Sequence, residues 1–153
     1  MESAVSPQSA ARRRLVLVAL IMAMFGFATA YAPVAANAGT ASSSYGYYTD
    51  GGVSYRNQAT ISTSAGKAVA GTTVWATSGS VPGGWIGLRA RLFSGSTLIQ
   101  EGGTQYNGGS ATSIGTGTTR YSSGTWKSYG VTYGWNGSGY NAHYTFQSPN
   151  QTS

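Results

Sequence analysis

Residues 128–146 read SYGVTYGWNGSGYNAHYTF. Tyr129, Val131, Tyr133 and Trp135 alternate with Ser128, Gly130, Thr132 and Gly134. After Asn136-Gly137-Ser138-Gly139, Tyr140, Ala142, Tyr144 and Phe146 alternate with Asn141, His143 and Thr145. A period of two places every second side chain on the same side of an extended chain. Two such runs across a short Asn/Gly loop predict a β-hairpin whose aromatic positions share a face.

The same period recurs upstream. In residues 53–63 the apolar positions Val53, Tyr55, Ala59 and Ile61, broken by Asn57, alternate with Ser54, Arg56, Gln58, Thr60 and Ser62. Residues 67–77 read as a second strand, with Val74 and Trp75 putting bulk on both faces. Beyond the turn cluster at 78–84, Ile86, Leu88, Ala90 and Leu92 alternate with Gly87, Arg89, Arg91 and Phe93. Leu98-Ile99 opens another short strand, and residues 104–124 are Gly/Thr-dominated, with Tyr106, Ile114 and Tyr121 as their only core bulk. No window carries a helical apolar stripe, and several short strands at this spacing with Gly-rich turns predict an all-β fold, a small antiparallel β-sandwich or alternatively a small barrel.

Ahead of the β region the chain has the three-part order of an export signal. Ala11-Arg12-Arg13-Arg14 is the positive segment, Leu15 to Ala28 the apolar one, and Ala36-Asn37-Ala38 supplies small residues before a cut between Ala38 and Gly39. Ala28-Thr29-Ala30 and Ala30-Tyr31-Ala32 are alternative triplets upstream. Read as an anchor, the stretch from Leu15 to Ala32 nears the length of a span; Thr29, Tyr31 and Pro33 weaken its end and no stop-transfer charge follows, so cleavage is expected. The apolar segment fits the general secretory route better than the twin-arginine one. The expected organisation is a signal peptide at 1–38, a flexible segment at 39–44 and one β domain at 45–153, in a secreted, extracellular bacterial protein with no membrane span after cleavage.

The full chain carries nine Lys/Arg against three Asp/Glu, but Arg12, Arg13, Arg14 and Glu2 belong to the leader. Arg56, Lys67, Arg89, Arg91, Arg120 and Lys127 then face Asp50 and Glu101, so six minus two leaves +4. The basic residues are scattered, whereas nucleic-acid binding calls for a clustered stripe, so no nucleic-acid partner is expected. Anionic envelope polymers suit this charge better. With charged residues only 8% of the chain, solubility rests on hydroxyls and amides. The chain has no cysteine, which removes disulfides and thiolate metal sites.

Chemistry-bearing groups are few. His143 is the one histidine, and beside Asn141 and Thr145 it reads as part of a polar outer strand face. Asp50 and Glu101 are the only carboxylates after the leader, too little for a general acid/base centre with its supporting groups. No enzyme activity, cofactor or metal is expected. Two binding surfaces suggest themselves. The hairpin aromatics Tyr129, Tyr133, Trp135, Tyr140 and Tyr144 could stack on sugar rings, but large aromatics dominate cores and aliphatic residues are few, so the face is expected to be core. Trp85, Arg89, Arg91 and Phe93, on one outer strand face, form the other patch, of the Trp/Arg type enriched at interfaces.

Gly124-Thr125-Trp126 followed by Tyr129-Gly130-Val131 resembles the Gly-Thr-Trp…Tyr-Gly-Val segment of lactococcin-type bacteriocins. That resemblance covers under a tenth of the chain and lies near its C-terminus, whereas in the family the segment opens the mature protein. It implies a secreted, cysteine-free β-sandwich that disturbs cell-wall assembly, and no functional residue is carried over. The expected function is a secreted, non-enzymatic protein binding a cell-wall or envelope polymer or a surface glycan, bacteriocin-like in one form. A carbohydrate-binding or adhesive module and an extracellular structural protein are the alternatives.

Overall fold

The computed structural model describes residues 38–153; the leader expectation falls on residues 1–37, outside the described residues. The described chain is all-β: β1 (Gly39–Ser42), β2 (Gly46–Asp50), β3 (Val53–Ser64), β4 (Lys67–Ala76), β5 (Ile86–Arg89), β6 (Arg91–Ser94), β7 (Thr97–Glu101), β8 (Gln105–Tyr106), β9 (Ser113–Arg120), β10 (Thr125–Ser128), β11 (Val131–Trp135), β12 (Tyr140–Tyr144) and β13 (Gln151–Thr152). All named pairings are antiparallel, and none of the sheets closes into a barrel. The sandwich expectation holds.

One layer has the order β1-β3-β4-β9, with β2 also on β3. The other consists of two four-stranded sheets, β13-β10-β6-β7 and β12-β11-β5-β8. They join because β5 and β6 are one run interrupted at Ala90, and β10 and β11 one run interrupted at 129–130. Lys127 faces Phe93 and Val131 faces Arg89 in the same register, and Tyr129 N–H donates to Arg91 O (3.2 Å) across the break.

The core follows the period-two pattern. Tyr55, Ala59 and Ile61 of β3, Ala68, Ala70 and Val74 of β4, and Ile86, Leu88, Ala90 and Leu92 are fully buried. These apolar residues form two clusters. One gathers Tyr55, Val74, Ile86 and Leu88, the other Ile61, Ala70, Leu92 and Trp126. Between them along the strands lie Asn57, Thr72, Ser128 and Thr132, all buried. Asn57 Nδ2 donates to Thr132 Oγ1 (2.9 Å), and Ser128 Oγ to Gly71 O (3.0 Å). Asn57, which interrupts the apolar pattern in sequence, is thus an inward residue of a polar belt.

Three expectations are corrected here. Gly39–Ser42, expected to be flexible, is β1, paired with Thr60–Thr63, and its Ala41 packs against the Trp126 cluster. The hairpin forms as predicted, Trp135 opposite Tyr140, but on its aromatic side only Val131 is buried and the rings do not enter the core. The opposite side carries Gly130, Thr132, Gly134 and Thr145, all buried, with His143 half-buried and Asn141 exposed. The opposite layer approaches too closely for rings there, and Ile86, Leu88 and Tyr55 already fill the apolar space. Tyr106 and Tyr121, read as core bulk, are exposed, and only Ile114 packs against the core.

Candidate functional site

Because β5 pairs with β11, the two candidate patches form one outer face. Gly87 lies opposite both Tyr133 and Tyr106 in the β12-β11-β5-β8 sheet. A Cβ at Gly87 would meet the Tyr106 ring at 2.5 Å, so the missing side chain lets this ring lie flat on the sheet. Tyr106 then reaches Tyr140 (centroids 4.9 Å) and Tyr133 (6.4 Å), and Tyr140 meets Trp135 edge-on (5.3 Å). Tyr140 OH donates to Gly84 O (2.6 Å), fixing its ring beside a shallow depression lined by Gly83, Gly84, Trp85, Trp135 and Tyr140. Burial, then the neighbouring phenols Tyr140 and Tyr133, raise the Tyr106 pKa above the usual phenol value.

Farther along the face, Arg91 lies among three rings, 5.4 Å from Phe93, 4.9 Å from Tyr129 and 5.0 Å from Tyr144. Its Nε donates to Tyr129 O (2.9 Å), while Nη2 is buried without a hydrogen-bond partner. Arg89 instead pairs with Glu101 (2.9 Å) and donates to Thr104, and the bond to Glu101 holds its guanidinium more firmly protonated. Arg89 ends β5, Arg91 and Phe93 lie in β6 beyond Ala90, and Trp85 precedes β5, partly buried against the larger apolar cluster. Tyr140 is 42% exposed, Tyr144 56% and Phe146 58%.

Beyond Tyr144 the face turns into an open groove of about 600 Å³ between β2 and β12, lined by Tyr45, Gly46, Tyr47, Tyr48, Ala142, His143, Tyr144 and Phe146. Here the expected outward orientation of His143 is corrected. Its Nε2 is 2.7 Å from Asp50 Oδ2, and Asn141 Nδ2 donates to Asp50 Oδ1 (2.6 Å). Asp50 is buried, and its carboxylate lies over Gly134. The Tyr48 ring stacks on the imidazole (3.8 Å, 10°) and on Tyr55 (5.2 Å, 24°). Behind Tyr45, outside the groove itself, Arg56 lies over Tyr45 (4.7 Å) and Trp75 (5.0 Å). Asp50 and Glu101, the two carboxylates among the described residues, each hold a different basic partner and do not form a pair with each other. Among the described residues no three His, Cys, Asp or Glu side chains converge as metal ligands.

Burial, and then Asp50, raise the pKa of both Tyr48 and Tyr55 above the usual phenol value. A phenol held neutral in the fold leaves stability intact below about pH 10, where the unfolded phenol is also neutral. Above that, the unfolded chain releases protons that the fold retains. We expect stability to fall above about pH 10, the Tyr48 contribution approaching about 1.4 kcal/mol per pH unit once the unfolded phenol is ionised and Tyr55 adding to it, read by urea denaturation at stepped pH. A flat profile through pH 11.5 would contradict this burial.

Comparison with family models, curated proteins and solved structures finds no match for the chain.

Proposed function

We propose that this protein is an exported, non-enzymatic binding module whose outer aromatic face contacts a cell-envelope polymer or surface glycan. The outward orientation of Tyr106, Tyr133, Trp135, Tyr140 and Tyr144 carries this reading. Flat aromatic faces with a polar edge suit the apolar faces and hydroxyl rims of sugar rings, and an exposed contiguous patch of this kind marks interaction sites. Non-enzymatic action is supported by the separate engagement of Asp50 and Glu101, and an envelope target by the +4 balance after the leader. If the polymer is one under assembly in another bacterium, binding inhibits growth, which is the bacteriocin-like form of the same activity.

The test is retention of the purified protein on isolated cell walls and on defined insoluble polysaccharides. Replacing Trp135 and Tyr140 together by Ala is expected to weaken retention at least about tenfold, the equivalent of about 1.4 kcal/mol. Retention unchanged in a folded double variant would remove the aromatic face from the binding surface. Growth inhibition with no polysaccharide retention would favour a toxin with another target, and self-assembly with neither effect a structural protein.

A further inference from the structure

We infer that the groove between β2 and β12 is a subsite for an acidic sugar, holding a uronic-acid residue of an anionic polysaccharide; this rests on the glycan-binding reading of the outer face. Four exposed aromatic side chains, Tyr45, Tyr47, Tyr144 and Phe146, border the groove. Its floor offers one distinctive polar group. Asp50 is an acceptor, so the proton of His143 facing it resides on Nε2, which leaves Nδ1 as the ring nitrogen available to a ligand. Nδ1 has no partner among the described residues, and the side chain is 28% exposed. Tyr48 covers one face of the ring and Asp50 fixes its tilt, so Nδ1 is held ready for a sugar hydroxyl.

Charge selects the kind of sugar. Both carboxylates after the leader are taken by His143 and Arg89, which leaves Arg56 and Arg91 without a carboxylate partner among the described residues. Each stands behind a groove ring, Arg56 behind Tyr45 and Arg91 behind Tyr144. Two uncompensated guanidinium groups lie well within a Debye length of the groove's borders, so it attracts a negative ligand. A pyranose bearing a carboxylate meets all three features: a ring face for the aromatics, hydroxyls for Nδ1 and charge for the arginines. A polyol phosphate chain offers no ring face, and nucleic acid calls for a continuous basic track.

The experiment is titration calorimetry of the purified protein with oligogalacturonate and with its methyl ester, which differ only in charge. The acid is expected to bind at least about tenfold tighter, with affinity falling as NaCl is raised. His143→Gln places an amide nitrogen where Nε2 reaches Asp50 but removes Nδ1. It is expected to lose about fivefold or more in affinity, the worth of one hydrogen bond, with its melting temperature nearly unchanged. Arg56→Gln, behind Tyr45, is expected to weaken the acid and spare the ester. Equal affinity for acid and ester overturns the subsite, as does binding of poly(glycerol phosphate) or single-stranded DNA as tight as the uronate. If neither galacturonate ligand binds while cell walls still retain the protein through Trp135 and Tyr140, the subsite fails and the wider reading survives. Loss of all retention removes both.

Discussion

Gly134→Ala is expected to destabilise the fold by about 3–5 kcal/mol and to disorganise the outer aromatic face with it. The β11 backbone at Gly134 runs directly beneath Asp50, and an added Cβ would collide with Oδ2 and come within 2.9 Å of Asp50 Cβ and Cγ. Neither partner can yield cheaply. Gly134 is fixed between Asn141 on one side and Ile86 on the other, and the carboxylate is tied to Asn141 and His143. Relief therefore means pushing Asp50 off both donors. Overpacking alone costs about 1–3 kcal/mol, and separating a buried carboxylate from its partners costs more. For a domain of this size the combined loss lowers the melting temperature by roughly 10 °C or more. The measurement is thermal and urea denaturation of Gly134→Ala in the wild-type and Asp50→Ala backgrounds. Since Asp50→Ala removes the colliding oxygens, the glycine substitution should cost at least about 1 kcal/mol less there, the coupling expected of residues in contact. A single Gly134→Ala variant within about 1 kcal/mol of wild type would mean that Asp50 does not lie over the strand.

Asp50 also shows where sequence stops being legible. Alternation at Tyr55, Ala59 and Ile61, and at Ile86, Leu88, Ala90 and Leu92, identified the buried faces correctly because each run contrasts apolar with polar. The hairpin was legible for the same reason. Its inward side was not, because a period of two defines two faces without saying which is inside. Ring size suggested the wrong one. The informative signal was the opposite set, Gly130, Thr132 and Gly134. Small residues at every second position mark a strand approached closely by another layer, and the rings between them then have only solvent to face. The Asp50–His143 contact spans 93 residues, so no local pattern could announce it. Nor could spacing show that Arg91 would be enclosed by Phe93, Tyr129 and Tyr144, since that cage needs the pairing of β6 with β10 and the proximity of β12.

The division of labour within the hairpin follows from these contacts. Its inner side is held by polar bonds from Asp50 and Asn57, and its outer side presents rings. An apolar inner side would pack as firmly but would leave the register of β12 less defined, whereas paired polar groups tolerate little displacement. Ring positions on the outer face are therefore set by hydrogen bonds on the other side of the same strands.

That coupling is carried into the core by the ring column Tyr55–Tyr48–His143, which gives two substitutions at Tyr55 opposite expectations. Tyr55 is fully buried in the larger apolar cluster and supports Tyr48, which in turn supports the imidazole. Tyr55→Ala is expected to cost about 3–5 kcal/mol, the range for deleting a buried aromatic ring. It should also loosen the groove floor, since Tyr48 loses the ring beneath it. The Tyr55 hydroxyl, by contrast, is buried without a hydrogen-bond partner. A buried hydroxyl left unsatisfied costs about 1–3 kcal/mol of desolvation, so Tyr55→Phe, which keeps the ring, should be neutral or stabilise by up to about 1 kcal/mol. It should also remove the Tyr55 share of the alkaline loss, leaving Tyr48 to produce the remainder. Urea denaturation of both variants at pH 7 and pH 11 separates the two contributions. A Tyr55→Phe variant weaker than wild type by more than about 1 kcal/mol would show that the hydroxyl is satisfied in solution, and the column would then be held by polar bonding as well as by stacking.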